Sequence, residues 1–133
     1  MTAPINSTRA KFSSSGSSTQ LFELRYYECF PGKLNDLLRR FERYAIPIWS
    51  ECGIRPMGFW TTVIGENDQS LYYMLVWKSF AEREIKWRRF TTEPRWLKIK
   101  KKTEKDGPLV ARVKNSILRA ADINAVKGLA SQM

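Results

Sequence analysis

The sequence predicts an α+β domain with the element order β-α-β-β-α-β, and three observations predict it. Residues 55 to 64 and 71 to 78 are rich in β-branched and aromatic side chains and flank the turn-forming Gly65-Glu66-Asn67-Asp68-Gln69-Ser70, which reads as a hairpin. Leucines and aromatics recur every three or four residues between Leu34 and Ile48 before that hairpin, and a capping sequence opens a second helix at Ser79 after it. Strand-like segments at residues 21 to 30 and about 109 to 118 bracket the whole.

The first strand, LFELRYYECF, alternates Phe22, Leu24, Tyr26 and Phe30 against Glu23, Arg25, Tyr27 and Cys29. Pro31 and Gly32 end it. The helix that follows places Leu34, Leu37, Leu38, Phe41, Tyr44, Ala45 and Ile48 on one side and Arg39, Arg40 and Arg43 on the other. Pro47 predicts a stop or kink near Ile46, with Trp49 in a distorted last turn. In the second arm of the hairpin, Leu71, Tyr73, Leu75 and Trp77 point one way while Tyr72, Met74 and Val76 point the other. Neither face of that strand is polar, so both need cover.

Ser79 is an N-cap with Glu82 three residues on, and the helix it opens carries Phe80, Ile85, Trp87 and Phe90 as its apolar side. A short helix starting near Thr92, with Glu93 and Pro94 in its first turn, presents Trp96, Leu97 and Ile99. The run Lys98, Lys100, Lys101, Lys102 ends at Asp106-Gly107-Pro108, and the last strand follows. This order is the split ferredoxin-like unit, with both helices on one face of an antiparallel sheet. The apolar character of the other face predicts that a second copy covers it, forming a dimeric α+β barrel about a two-fold axis. Residues 1 to 20, serine-rich and without acids, are expected to form a disordered tail in preference to a transit peptide; residues 21 to 121 form the domain and 122 to 133 a weakly helical tail.

Composition narrows the chemistry. The chain contains no histidine, which excludes Ser-His and Cys-His triads, the usual zinc sites and histidine-ligated haem. No metal or cofactor motif is present, so none is expected, and acid-base work falls to Glu, Asp, Tyr, Cys or Lys. Cys29 and Cys52 lack a nearby activating base and read as buried, inert thiols. The net charge of +10 is local, since Lys78 to Lys105 holds 11 basic and 4 acidic residues. The basic run reads as a solvated helix end, or as a site of peripheral contact with an anionic membrane; nucleic acid is not expected, because no recognised binding motif accompanies the charge. No apolar run approaches the roughly 20 residues of a membrane span.

Glu23-Leu24-Arg25-Tyr26-Tyr27, Pro31-Gly32-Lys33-Leu34, Gly58-Phe59-Trp60-Thr61-Thr62 with Ile64-Gly65, Trp77-Lys78-Ser79-Phe80-Ala81-Glu82-Arg83-Glu84 and Ile117-Leu118-Arg119 occur in order and at spacings that resemble the NIPSNAP domain. The resemblance covers residues 21 to about 121 and implies the dimeric α+β barrel. It also implies two kinds of role. Eukaryotic members of the family are often mitochondrial and linked to trafficking or organelle quality control, whereas the wider barrel superfamily includes cofactor-free monooxygenases, polyketide cyclases, isomerases and haem enzymes. The haem branch conflicts with the missing histidine.

A ligand cavity in such a fold lies between sheet and helices. Its expected wall is aromatic: Phe41, Tyr44 and Trp49 from the first helical region, Trp60, Tyr72 and Trp77 from the hairpin, and Trp87, Phe90 and Trp96 from the second helical region. The same residues would also serve as plain core filling. Glu23, Arg25 and Tyr27 share one strand face and are the expected catalytic set, with Glu23 as an acid or base of desolvation-shifted pKa, Arg25 as an anion stabiliser and Tyr27 as a proton relay. Read structurally, they are an ion-pair network that sets register. The leading expectation is a homodimer that binds a largely apolar small molecule, with cofactor-free cyclase, isomerase or dehydratase chemistry as the reaction such a cavity would support. The alternative is a non-catalytic adaptor in organelle or membrane trafficking. A cytoplasmic location is expected, with a mitochondrial one as the alternative.

Overall fold

The structure, a computed structural model, describes residues 20–124. The predicted tails, residues 1–20 and 122–133, lie outside the described residues apart from Gln20 and residues 122–124. Four strands, β1 (Leu21–Cys29), β2 (Arg55–Thr61), β3 (Ser70–Trp77) and β4 (Val110–Leu118), form one sheet in the order β2-β3-β1-β4, with every neighbouring pair antiparallel. The helical segments are α1 (Leu34–Arg40), a π-helical turn (Phe41–Ala45), α2 (Ile46–Cys52), α3 (Phe80–Thr91) and α4 (Pro94–Thr103). This is the predicted ferredoxin-like α+β arrangement.

The helix before the hairpin departs from expectation in an instructive way. Pro47 neither ends it nor leaves Trp49 in a frayed turn, since α2 continues to Cys52. The distortion lies one turn earlier: the Ile46 amide bonds to the Phe41 carbonyl, five residues back, and the π turn sits where proline would otherwise crowd the carbonyl of Arg43. The wider turn lets the chain pass proline and stay helical. Gly53, at φ 81°, then ends α2 in the left-handed conformation that only glycine adopts without cost, and the Ile54 amide bonds back to the Trp49 carbonyl.

The hairpin strands are shorter than predicted at the tip, because Thr62 to Gln69 form the loop. Their alternation is as expected. Leu71, Tyr73, Leu75 and Trp77 are fully buried beneath the helices, while Tyr72 on the other face is 38 % exposed. Ser79 caps α3 by accepting from the Glu82 amide, and Glu82 in turn accepts from the Lys78 amide. The apolar side of α3 is narrower than the sequence suggested. Trp87 and Phe90 pack on the core, but Phe80 and Ile85 are exposed; Ile85 stands about 200° around the helix from Trp87, at 100° per residue.

Arg40 was expected on the solvent side and is instead buried. Helix α4 folds over it, so its guanidinium meets Glu104 Oε2 at 2.8 Å and lies 5.3 Å from the centroid of the Trp96 ring. The core between sheet and helices is continuous and aromatic: Phe41, Trp49, Phe59, Tyr73, Trp87 and Phe90 contact one another with centroid separations of 5.2 to 6.3 Å. Contacts of this kind stabilise by about 0.5–1.5 kcal/mol each beyond area burial.

Candidate functional site

Strand alternation places Glu23, Arg25 and Tyr27 on the face of β1 that the helices cover. The register adds their neighbours. Arg25 pairs with Tyr73 on β3 and with Asn115 on β4, and Leu21 pairs with Trp77, so Trp77 and Asn115 both stand diagonal to Glu23.

The Glu23 carboxylate is wholly buried and accepts from five donors. Oε1 receives Trp77 Nε1 at 2.9 Å and Arg83 Nε at 2.8 Å. Oε2 receives Arg25 Nη1 at 2.8 Å, Asn115 Nδ2 at 2.9 Å and Arg83 Nη2 at 3.1 Å. Burial alone would raise its pKa, but the hydrogen bonds from Arg83, Asn115, Trp77 and Arg25 outweigh it and hold the group down at about 2. The shift therefore runs opposite to the one desolvation alone would give. A carboxylate held ionised with five donors on its two oxygens is suited to fixing those donors in place. Glu23 is the anchor of the network.

Arg25 is the group so anchored. Its Nε donates to Tyr73 Oη at 2.8 Å and its Nη2 to Tyr27 Oη at 3.3 Å, while Trp87 covers it with 4.7 Å between guanidinium carbon and ring centroid. Burial opposes its charge, but the facing Tyr73 and Tyr27 hydroxyls and Glu23 raise its pKa above the ordinary arginine value. Tyr73 Oη donates to Tyr27 Oη at 2.8 Å, and burial pushes the Tyr73 hydroxyl well above the usual phenol range. Tyr27 therefore receives hydrogen bonds from both neighbours, and its own hydroxyl proton has no acceptor among the described residues.

Arg25 and Tyr27 form part of the floor of a chamber of about 480 Å³ between the sheet and the helices. Phe41, Trp49, Trp87, Phe90 and Trp96 line it, and Arg40, Lys100 and Glu104 supply its remaining charges; Arg112 borders it on β4 but pairs with Glu28 on the opposite face of the sheet. The sequence-predicted residues thus divide. Arg25, Tyr27, Phe41, Trp49, Trp87 and Phe90 come together at the chamber, with Trp96 beside them. Trp77 is buried behind it as a donor to Glu23. Tyr44 is half-buried and not part of the lining. Trp60 and Tyr72 pair with each other across β2 and β3 on the opposite face, 50 % and 38 % exposed, because their strand parity is opposite to that of Phe59 and Tyr73.

Arg83, Asn115, Arg40 and Glu104 were not singled out from the sequence. Arg83 carries a readable signal, lying four residues before Trp87 on the same helix face. Asn115 and the Arg40–Glu104 pair become neighbours only through the fold. Cys29 and Cys52 are free and buried, and burial raises both thiols above their ordinary pKa. Among the described residues no cluster of three or more His, Cys, Asp or Glu is placed to hold a metal ion, and no helix is long and apolar enough to cross a membrane.

The fold and the open chamber between its sheet and helices define a ferredoxin-like α+β domain with an arginine-tyrosine floor. The chain matches the NIPSNAP family profile over residues 22–124, most of its length, and belongs to that family. It is similar in structure to an uncharacterized NIPSNAP-like domain protein from Burkholderia xenovorans, with a TM-score of 0.69 and 23% identity, covering 78% of this chain and 87% of that one. A NIPSNAP family protein from Agrobacterium tumefaciens is similar at a TM-score of 0.69 and 21% identity, covering 78% of this chain and 95% of that one. A conserved protein from Methanosarcina mazei is more distant, with a TM-score of 0.56 and 14% identity over 80% of this chain and 98% of that one. No curated protein matches the chain. At these identities the likeness to solved structures establishes the fold alone.

Proposed function

We propose that the chamber receives a small molecule with a largely apolar body. The observation that carries this reading is the wall itself: Phe41, Trp49, Trp87, Phe90 and Trp96 surround about 480 Å³ above a polar floor, a combination typical of ligand sites. The reaction that suits this arrangement is cofactor-free proton transfer of the cyclisation, isomerisation or dehydration type. Tyr27, with its proton directed to no protein acceptor among the described residues, is the group to protonate a substrate oxygen; the phenolate this leaves is stabilised by Arg25 Nη2 and takes back the proton that the substrate releases from carbon, so the transfer balances. Glu23 positions Arg25 and does not touch the substrate.

The same reading includes a homodimer. Phe22, Leu24, Tyr26, Trp60, Tyr72 and Met74 stand on the sheet face away from the helices, and a second copy of that face would cover them. A second reading, a non-catalytic adaptor, draws support from the exposed Leu97 on α4 among Lys98, Lys100, Lys101 and Lys102, with Phe80 and Ile85 exposed on α3.

Ala111→Trp tests the small-molecule reading, because Ala111 lines the chamber from β4 and its own position is exposed. Native mass spectrometry and tryptophan fluorescence should detect saturable ligand uptake by the parent protein and its loss in this filled variant, with far-UV circular dichroism unchanged. Equal uptake by both proteins would place binding elsewhere and sink the proposal. An adaptor would keep partner capture in Ala111→Trp and lose it when the α4 lysines are neutralised.

A further inference from the structure

We infer that the ligand of this chamber is an anion, a carboxylate or an equivalent oxyanion on an apolar body, and that Trp49 Nε1–H is one of the donors that receive it. This deepens the small-molecule reading and rests on it. The first ground is an orphaned donor. Trp49 is 1 % exposed, lines the chamber, and its Nε1–H is the buried side-chain polar atom that has no hydrogen-bond partner among the described residues. Buried polar groups are almost always satisfied, so an unpaired indole N–H on a residue that lines a cavity marks a place for an acceptor. Trp77, the other fully buried indole, shows the usual outcome by donating to Glu23.

The second ground is the imbalance of the lining. Arg25, Arg40 and Lys100 line the chamber with Glu104 as the one acid among the lining residues; Glu104 is engaged by Arg40 at 2.8 Å, and the Glu23 behind Arg25 is shared with Arg83, so positive charge remains in excess. Tyr27 adds a hydroxyl proton without an acceptor among the described residues. The polar groups that remain available around this space are donors and cations. A cationic ligand would meet like charge, and a neutral ligand without an acceptor would leave the Trp49 and Tyr27 protons unpaired. An oxyanion satisfies both and gains charge-assisted hydrogen bonds in a partly desolvated setting.

The test uses the intact protein and three probes with the same ring system: 2-naphthoate, 2-naphthylmethanol and 2-naphthylmethylammonium. Affinities are measured by calorimetry at neutral pH, and the Trp49 indole resonance is followed in ¹⁵N-labelled protein. Naphthoate is expected to bind about tenfold or more tighter than the alcohol, and the ammonium to bind weakest. The Trp49 Nε1 proton should lie further downfield with naphthoate than with the alcohol, whose ring current is equivalent. Tyr27→Phe should weaken naphthoate severalfold and leave the alcohol little changed. Equal or tighter binding of the alcohol would overturn the anion assignment while leaving the small-molecule reading intact. Naphthoate binding with no distinct response at the Trp49 indole would remove that residue from the site. Failure of all three probes in both this protein and Ala111→Trp would count against the chamber as a ligand site and take the inference with it.

Discussion

Glu23→Gln is the most exposing perturbation of this fold. In the parent protein the carboxylate is buried with five donors around it, and its pKa falls from 4.5 to about 2. A group whose folded-state pKa is depressed contributes stability that is complete above its unfolded value and is lost as pH falls toward the folded one. At about 1.4 kcal/mol per unit, the difference amounts to roughly 3 kcal/mol at neutral pH, declining from about pH 5 and gone near pH 2. Glutamine offers one acceptor and turns an N–H₂ toward guanidinium donors, leaving Arg25 and Arg83 short of countercharge. Breaking a buried ion network in this way costs about 3–5 kcal/mol. With a urea dependence of about 1–3 kcal/mol per molar, the unfolding midpoint at pH 7 should fall by about 2 M at a fixed protein concentration. The same comparison near pH 2 should show a much smaller gap, because the folded parent carboxyl is then about half protonated and most of its pH-dependent contribution is lost. A midpoint shift under about 0.5 M at pH 7, or a gap that does not narrow in acid, would refute the anchor argument. Asn115→Ala removes one donor and should give a milder version of the same pH-dependent loss.

Four further outcomes follow from the geometry. Tyr73→Phe removes the acceptor of Arg25 Nε and the donor to Tyr27, and should cost about 1–3 kcal/mol in urea unfolding; a neutral result would mean Arg25 is held without it. Glu104→Gln leaves the buried Arg40 without its carboxylate and should destabilise more than Glu84→Gln, whose pair with Arg88 is exposed, with the two compared by thermal melts. The proposed dimer is tested by Trp60→Lys with Tyr72→Lys, which should lower the sedimentation coefficient of the parent protein to the monomer value while preserving circular dichroism; a parent that already sediments as a monomer, or a coefficient unchanged by the substitutions, would refute a dimer through this face. Cys29 and Cys52 should react with a thiol reagent at neutral pH only at the rate of unfolding, since both are buried with raised pKa values, and fast labelling of the folded protein would contradict that burial.

Much of this molecule is readable from local pattern. Alternation along residues 21 to 30 and 71 to 77 assigned each side chain a sheet face, and the structure places Glu23, Arg25, Tyr27, Tyr73, Leu75 and Trp77 together beneath the helices. Ser79 with Glu82, Pro94 and the Asp106-Gly107-Pro108 turn marked helix limits because capping and turn chemistry act within a few residues. These are short-range effects, so short stretches of sequence express them. Pro47 is legible only in part: it signals the irregularity near Ile46, but a proline rule for an ideal α-helix does not anticipate the π turn Phe41–Ala45 that lets the helix run on to Cys52.

What only the tertiary structure decided is the company each group keeps. Whether Glu23 is a base or an anchor depends on Arg83 from α3, Trp77 from β3 and Asn115 from β4, separated from it by 54 to 92 positions. The pKa of a buried carboxylate is set by the balance of desolvation against donors, and both terms are properties of packing. Arg40 changes from a surface charge to a chamber wall because α4 happens to close over it. Trp60 and Trp49 look alike in the sequence, yet strand parity sends one to the outer face while the helix carries the other to the core with its indole N–H unpaired. The sequence by itself determined the elements, their faces and their order; the juxtaposition of those faces, which creates the chamber and decides its charge, exists only once distant segments meet.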